Sequence, residues 1–140
     1  VVLFLILSLR TIGVFNKAVD IHPYDSSYEQ YKRTHDEFDR DRLGKGECFG
    51  IPYSILVPRG WNNLWAAGRC NSSDIKVHGS IRVQPAASMM GQAAGTAAVQ
   101  SINTGQAACD LDTAELVETL RRAGAYLPQT KLSREMTRSK

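Results

Sequence analysis

Apolar positions in this chain fall into short, separated runs. The first covers residues 1–7 and is closed by Ser8-Leu9-Arg10. It is far too short for a membrane helix, which needs about 20 residues. No basic segment precedes it and no small-residue cleavage site follows, so it does not read as a signal peptide. It reads as a buried β-strand, or as core sequence from inside something longer. Residues 11–21 alternate loosely and stop at His22-Pro23, where proline removes a backbone donor and restricts its predecessor. A strand or extended segment is expected to end there. Five Lys or Arg and six Asp or Glu crowd residues 28–47. That balance predicts a solvated, mobile connection over residues 25–47 with at most one turn of helix. Two β-type runs follow, residues 53–57 closed by Pro58-Arg59-Gly60 and residues 63–67 closed by Gly68. Residues 69–84 match no regular period and read as an irregular loop.

Two helices are better specified. Residues 85–103 open on Pro85, whose fixed φ and missing N–H suit a helix start, and end before Gly105. The interior holds little bulk, and Gly91 and Gly95 stand four apart on one face. Each glycine costs about 1 kcal/mol against alanine. That cost predicts a close approach to the backbone there, by a neighbouring strand or by a ligand, and Gly95→Leu is expected to disrupt packing while Lys131→Ala leaves stability unchanged. The second helix begins at Asp112, with Glu115 completing a capping box and Leu111 and Leu116 in staple positions. Leu116, Val117, Leu120 and Ala123 form its apolar stripe and Gly124 its stop.

The pattern describes one α/β domain over residues 1–127, with a basic flexible tail over 128–140. The net charge of +3 belongs to that tail, which holds Lys131, Arg134, Arg138 and Lys140 against Glu135. The remaining body is neutral, which argues against a nucleic-acid surface, since that needs a concentrated basic stripe. Cys48, Cys70 and Cys109 include no C-x-x-C pair, so neither a disulfide framework nor a zinc site is suggested. Reduced thiols and a cytoplasmic setting are the plain expectation. Asn71-Ser72-Ser73 fits the glycosylation pattern, but that tripeptide is common by chance. There is no H-E-x-x-H, P-loop or G-x-S-x-G, so hydrolase and metalloenzyme readings lose most of their support.

What remains is a run ending at Gly68, a loop carrying His78-Gly79-Ser80-Ile81-Arg82, and a helix of small residues opening at Pro85. Unpaired N–H groups and the positive end of the helix dipole converge at such a start. Five segments in order then carry a resemblance: Ile51-Pro52-Tyr53, Leu56-Val57-Pro58-Arg59-Gly60, Asn63-Leu64-Trp65-Ala66-Ala67-Gly68-Arg69-Cys70, His78-Gly79-Ser80-Ile81-Arg82-Val83, and Met90-Gly91-Gln92-Ala93-Ala94-Gly95-Thr96-Ala97-Ala98. Together they resemble the C-terminal part of the FAD-dependent oxidoreductase family over residues 47–127. Asp20-Ile21-His22-Pro23 also resembles a segment found upstream in that family.

The resemblance implies the C-terminal portion of a Rossmann-like FAD/NAD(P)-binding fold, with FAD as cofactor. It implies cofactor contacts from Gly68 and Arg69 near the ribityl or pyrophosphate part, and from the helix start, where the amides of Ala86 and Ala87 after Pro85 face the pyrimidine edge of the flavin. Gly79, Ser80, Gly91 and Gly95 fall in the same motif set. Looser similarity to fumarate-reductase-type flavoproteins, which carry H-G-x-x-R beside the flavin, implies that Arg82 holds a substrate carboxylate or carbonyl and that His78 assists proton transfer. For Arg82 the alternative is a structural ion pair; for His78, a hydrogen bond that orients the loop. Cys70 reads as a buried inert thiol.

The dinucleotide fingerprint G-x-G-x-x-G occurs nowhere in the 140 residues, so half of the cofactor site is not in this sequence. The chain is therefore expected to be a fragment or one part of a split enzyme, to need an N-terminal FAD-binding half or a partner chain, and to bind FAD weakly or not at all by itself. The competing reading is a non-catalytic α/β interaction module that packs on a partner chain, or on a second copy, through its Gly91 and Gly95 face.

Overall fold

A computed structural model describes residues 10–40, 42–45 and 47–127. The apolar run over residues 1–7 and the basic tail, Lys131 included, lie outside the described residues. The first strand, β1 (Thr11–Phe15), pairs antiparallel with β2 (Phe49–Pro52), placing Gly13 opposite Ile51 and Phe15 opposite Phe49, with an irregularity between Thr11 and Gly13. Phe15 and Phe49 bring their rings to 5.5 Å between centroids. The described sheet has these two strands. β1 therefore ends earlier than the alternation suggested, and residues 16–23 continue without ladder partners.

The segment between the strands is more than a connection, because α1 (Tyr28–Arg40) occupies most of it. Ser27 starts this helix: its Oγ accepts from the Gln30 N–H at 3.3 Å and its carbonyl accepts from the Tyr31 N–H at 3.0 Å. Ser27 with Gln30 three residues on is a capping-box pattern that the surrounding charge obscured. Hydrogen bonds from the side chain and backbone of Ser27 hold the Asp25 carboxyl below its ordinary value of 3.8.

The strand expected over residues 53–57 is a 3-10 turn, Tyr53–Leu56. Tyr53 and Leu56 stand three apart and both are buried, which suits a helix of three residues per turn and not an alternating strand. The expected strand over residues 63–67 is irregular. The Ala66 N–H donates to the Leu56 carbonyl and the Ala108 N–H donates to the Asn62 carbonyl, both at 2.7 Å. Those two bonds run to different segments and build no ladder. The supposed loop over residues 69–84 contains α2 (Ile75–Ile81), capped by the Asp74 side chain, which accepts from the Val77 N–H at 2.9 Å.

The two specified helices form as expected. In α3 (Gln84–Thr104), Ala86, Met90, Ala93, Ala97 and Gln100 are buried at alternating spacings of four and three, and Gly105 ends the helix at φ +69°. In α4 (Thr113–Arg122), the Asp112 carboxylate accepts from the Ala114 N–H at 2.9 Å and the Glu115 N–H at 3.2 Å. Its C-terminus closes on Gly124 at φ +91°, with Ala125 N–H donating to the Leu120 carbonyl and Gly124 N–H to that of Arg121. This is a Schellman ending. Ala123, placed on the apolar stripe by its spacing, is exposed there.

α3 packs on β1 and α4 around one core that includes Ile12, Ile51, Leu56, Ile81, Met90, Leu116 and Leu120. The molecule is thus a helix-rich mixed α/β fold with a two-stranded antiparallel sheet. The close approach of a strand to α3 is at Gly13, where an added Cβ would lie 3.3 Å from Met89 Cβ. Gly91 and Gly95 are exposed, and a Cβ on either would meet nothing within 4 Å. The expectation that Gly95→Leu disrupts packing is therefore overturned for the described residues. Small residues in this helix carry a face toward solvent as well as a face toward the core, and spacing alone does not separate the two.

Candidate functional site

The sequence-nominated residues converge where α2 hands over to α3. Arg82 ends one helix and Val83 begins the other. Val83 is extended (φ −69°, ψ 152°) and offers no side-chain cap, and the first turn of α3 carries no acid. Pro85 has no N–H to satisfy. The Ala87 N–H donates to the Val83 carbonyl at 3.0 Å, and the Gln84 and Ala86 amides have no acceptor among the described residues. Ala87 was expected to present its amide to a ligand; that amide is instead the first rung of the helix. The donors without an acceptor are those of Gln84, which is exposed, and Ala86, which is buried as a whole residue at 1% exposure. No charged residue occurs anywhere in α3, so nothing on the helix itself offsets the positive dipole end.

Gly68 faces this start. It has φ +72°, a conformation that L side chains rarely adopt, and an added Cβ would stand 3.7 Å from Ala87 Cβ. Its carbonyl accepts from Asn71 Nδ2 at 2.6 Å. Arg69 Nε donates to the Arg82 carbonyl at 2.9 Å, tying the Gly68–Cys70 turn to the helix junction. Asn71 Oδ1 and Ser73 Oγ are buried without a hydrogen-bond partner. Cys70 is exposed rather than buried, and its Sγ donates to the Ala67 carbonyl at 2.9 Å.

Arg82 reaches back across 62 residues to the segment of the sequence that resembled the family upstream: its Nη2 donates to the Asp20 carbonyl at 3.1 Å and lies 3.7 Å from Asp20 Oδ2. Gly79 explains why the two pieces fit, since a Cβ there would lie 2.7 Å from Ile21 Cγ1. The glycine thus breaks no helix; it lets Ile21 seat on one. His78 lies on the same helix, half-buried, and its ring has no hydrogen-bond partner among the described residues. The orienting hydrogen bond considered for it is absent there. Ser80 is buried at 4% exposure on the neighbouring face of α2. Gly91 and Gly95 lie about two and three turns along α3 from its start, on the solvent side, and take no part in the junction.

Sequence reasoning missed Asp20 as the partner of Arg82 and Asn71 as the buttress of Gly68. Asn71 sat in a discounted glycosylation tripeptide, and nothing local links Asp20 to a residue 62 positions away. Among the described residues no cluster of His, Cys, Asp and Glu could hold a metal ion, and no helix is long and apolar enough to cross a membrane.

A left-handed glycine turn set against an uncapped helix start is a geometry suited to binding a cofactor through backbone amides. The family model for FAD dependent oxidoreductases matches residues 10–120. The chain belongs to that family. No curated protein and no solved structure matches it.

Proposed function

We propose that this chain supplies the flavin-edge part of an FAD-dependent oxidoreductase site on a Rossmann-like framework, while the adenosine half is held by sequence carrying the missing fingerprint. The observation that carries the reading is the start of α3, with the amide of exposed Gln84 free, no acid in the first turn, and Gly68 stripped of a side chain directly beside it. The pyrimidine edge of a flavin alternates hydrogen-bond acceptors with one N–H donor. The free Gln84 amide offers a donor to an acceptor on that edge. Negative charge that gathers at this edge on reduction is stabilised by the helix dipole. The flavin supplies the hydride- or electron-accepting chemistry. Arg82 has five N–H donors; Nη2 is committed to Asp20 through its carbonyl and its carboxylate, and the remaining N–H groups are available to a substrate carboxylate or carbonyl. The unpartnered His78 ring is the residue suited to moving a proton beside it.

The test uses the 140-residue chain with riboflavin, FAD and ADP, read by flavin fluorescence. Riboflavin and FAD should bind with similar weak affinity and ADP should not compete. Val83→Asp provides a capping carboxylate to the Ala86 amide, stabilises α3 by about 0.5–1 kcal/mol, and should abolish flavin binding. Tight FAD binding displaced by ADP, or unchanged binding in Val83→Asp, would overturn the reading.

The interaction-module reading draws on a separate observation. Val99 and Ile102 are 58% and 81% exposed in line with Gly91 and Gly95, on a helix without charge. It requires that the chain sediment as a dimer and that Ile102→Glu return it to a monomer. A wild-type monomer would dismiss a second copy as the partner.

A further inference from the structure

A cleft of about 360 Å³ opens between the end of β1, the following segment and α2. It does not include Gly68, Ala86 or Ala87, so it is distinct from the helix start described above. Its wall is mostly apolar, with Phe15, Val19, Phe49 and Val77 forming the body. Ile75 stands beside them with 75% of its surface exposed and extends the apolar rim.

Two polar groups decide what would bind. Ser80 lines the cleft at 4% exposure, and its hydroxyl has no hydrogen-bond partner among the described residues. Its oxygen is not sealed from solvent, so the hydroxyl opens onto the cleft and can donate to a ligand there. Lys17 also lines the cleft and makes no ion pair among the described residues. The other charged groups there are already engaged. Lys76 is paired with Glu37 across to α1, and the Asp74 carboxylate accepts from the Val77 N–H as the cap of α2. Lys17, the Ser80 hydroxyl and the Asn16 amide therefore remain uncommitted in an apolar cleft whose volume lies at the lower end for small-molecule sites.

We propose that this cleft binds a small apolar carboxylate, with its hydrocarbon body against Phe15, Val19, Phe49 and Val77 and its polar contacts made by Lys17 and Ser80. An anion is favoured over a neutral ligand because Lys17, exposed at the rim, makes no ion pair among the described residues while the Asp74 carboxylate is drawn to the α2 amides, and a charged acceptor strengthens the hydrogen bond from Ser80. The site does not depend on the flavin reading; either can fail while the other stands.

The experiment titrates the 140-residue chain with 4-phenylbutyrate and with its neutral counterpart 4-phenyl-1-butanol, read by calorimetry and by saturation-transfer NMR. The acid should bind about fivefold or more tightly than the alcohol. Lys17→Gln should remove that difference while leaving the alcohol bound as before, and Ser80→Ala, which keeps α2 intact, should weaken both severalfold. Absence of binding by either compound to the wild-type chain would overturn the site. Equal affinities of acid and alcohol would overturn the anion assignment, and unchanged binding in Ser80→Ala would overturn the placement.

Discussion

Replacing Gly91 and Gly95 by alanine should make this protein more stable. Both glycines lie inside α3, and an added Cβ on either meets nothing within 4 Å. The substitution therefore creates no clash, and it removes backbone freedom from the unfolded chain that folding must otherwise suppress. The scale for an exposed helix interior is about 1 kcal/mol per site. An added Cβ at either position meets nothing, so the propensity gains stand together and the double variant should gain about 2 kcal/mol. For a domain of this size that corresponds to a rise of roughly 6–10 °C in Tm. Urea denaturation followed by circular dichroism should show a higher midpoint with an unchanged slope. Gly79→Ala is the matched control, because its Cβ would stand 2.7 Å from Ile21 Cγ1. It should lose about 1–3 kcal/mol as Ile21 is displaced. A double alanine variant no more stable than wild type, or less stable, would refute the assignment of this face to open solvent.

Tyr53 is buried, accepts from Trp65 Nε1 at 2.7 Å and donates to the Ala108 carbonyl at 2.9 Å. Tyr53→Phe strands both partners and should cost about 2–3 kcal/mol in urea denaturation. Burial also raises the Tyr53 hydroxyl above its ordinary value of 10.0, opposed more weakly by the Trp65 hydrogen bond. A raised folded-state pKa means that this contribution to stability is complete below the unfolded value and is lost as pH climbs through the folded one. The urea midpoint should therefore fall on going from about pH 9 to about pH 11, and the component due to Tyr53 should vanish in Tyr53→Phe. Asp112→Ala removes the acceptor for two α4 amides and should cost about 1 kcal/mol by the same assay.

The elements that could be read from the chain are those whose ends carry their own chemistry. Pro85 with Gly105, and Asp112 with Gly124, mark α3 and α4 within a few residues, because caps act locally. α1 hid behind its charges, although Ser27 and Gln30 mark its start. α2 hid behind Gly79, which looks like a loop residue until Ile21 is seen to occupy the space a side chain would need. The run Tyr53-Ser54-Ile55-Leu56-Val57 has β composition, but composition does not report that Tyr53 is anchored to Trp65 and Ala108. At the candidate site, the pairing of Gly68 with the start of α3 was legible from the order of motifs. The bond between Arg82 and Asp20 was not, since a contact over 62 positions leaves no periodic trace. Gly91 and Gly95 show the limit of the glycine argument: a missing side chain signals an allowed approach, and only the packed structure says from which side.

The absence of charge from α3 bears on how the molecule responds to its surroundings. α3 is held by shape and apolar contact, whereas α1 is joined to α2 through the exposed pair of Lys76 and Glu37 and through Lys76 lying 6.0 Å from the centre of the Phe38 ring. Pairs of this kind weaken as ionic strength rises, while apolar burial does not. Salt thus acts on the two helices differently, loosening the outer one while the inner one holds. The protein has a periphery whose attachment tracks its ionic environment and a centre that is indifferent to it.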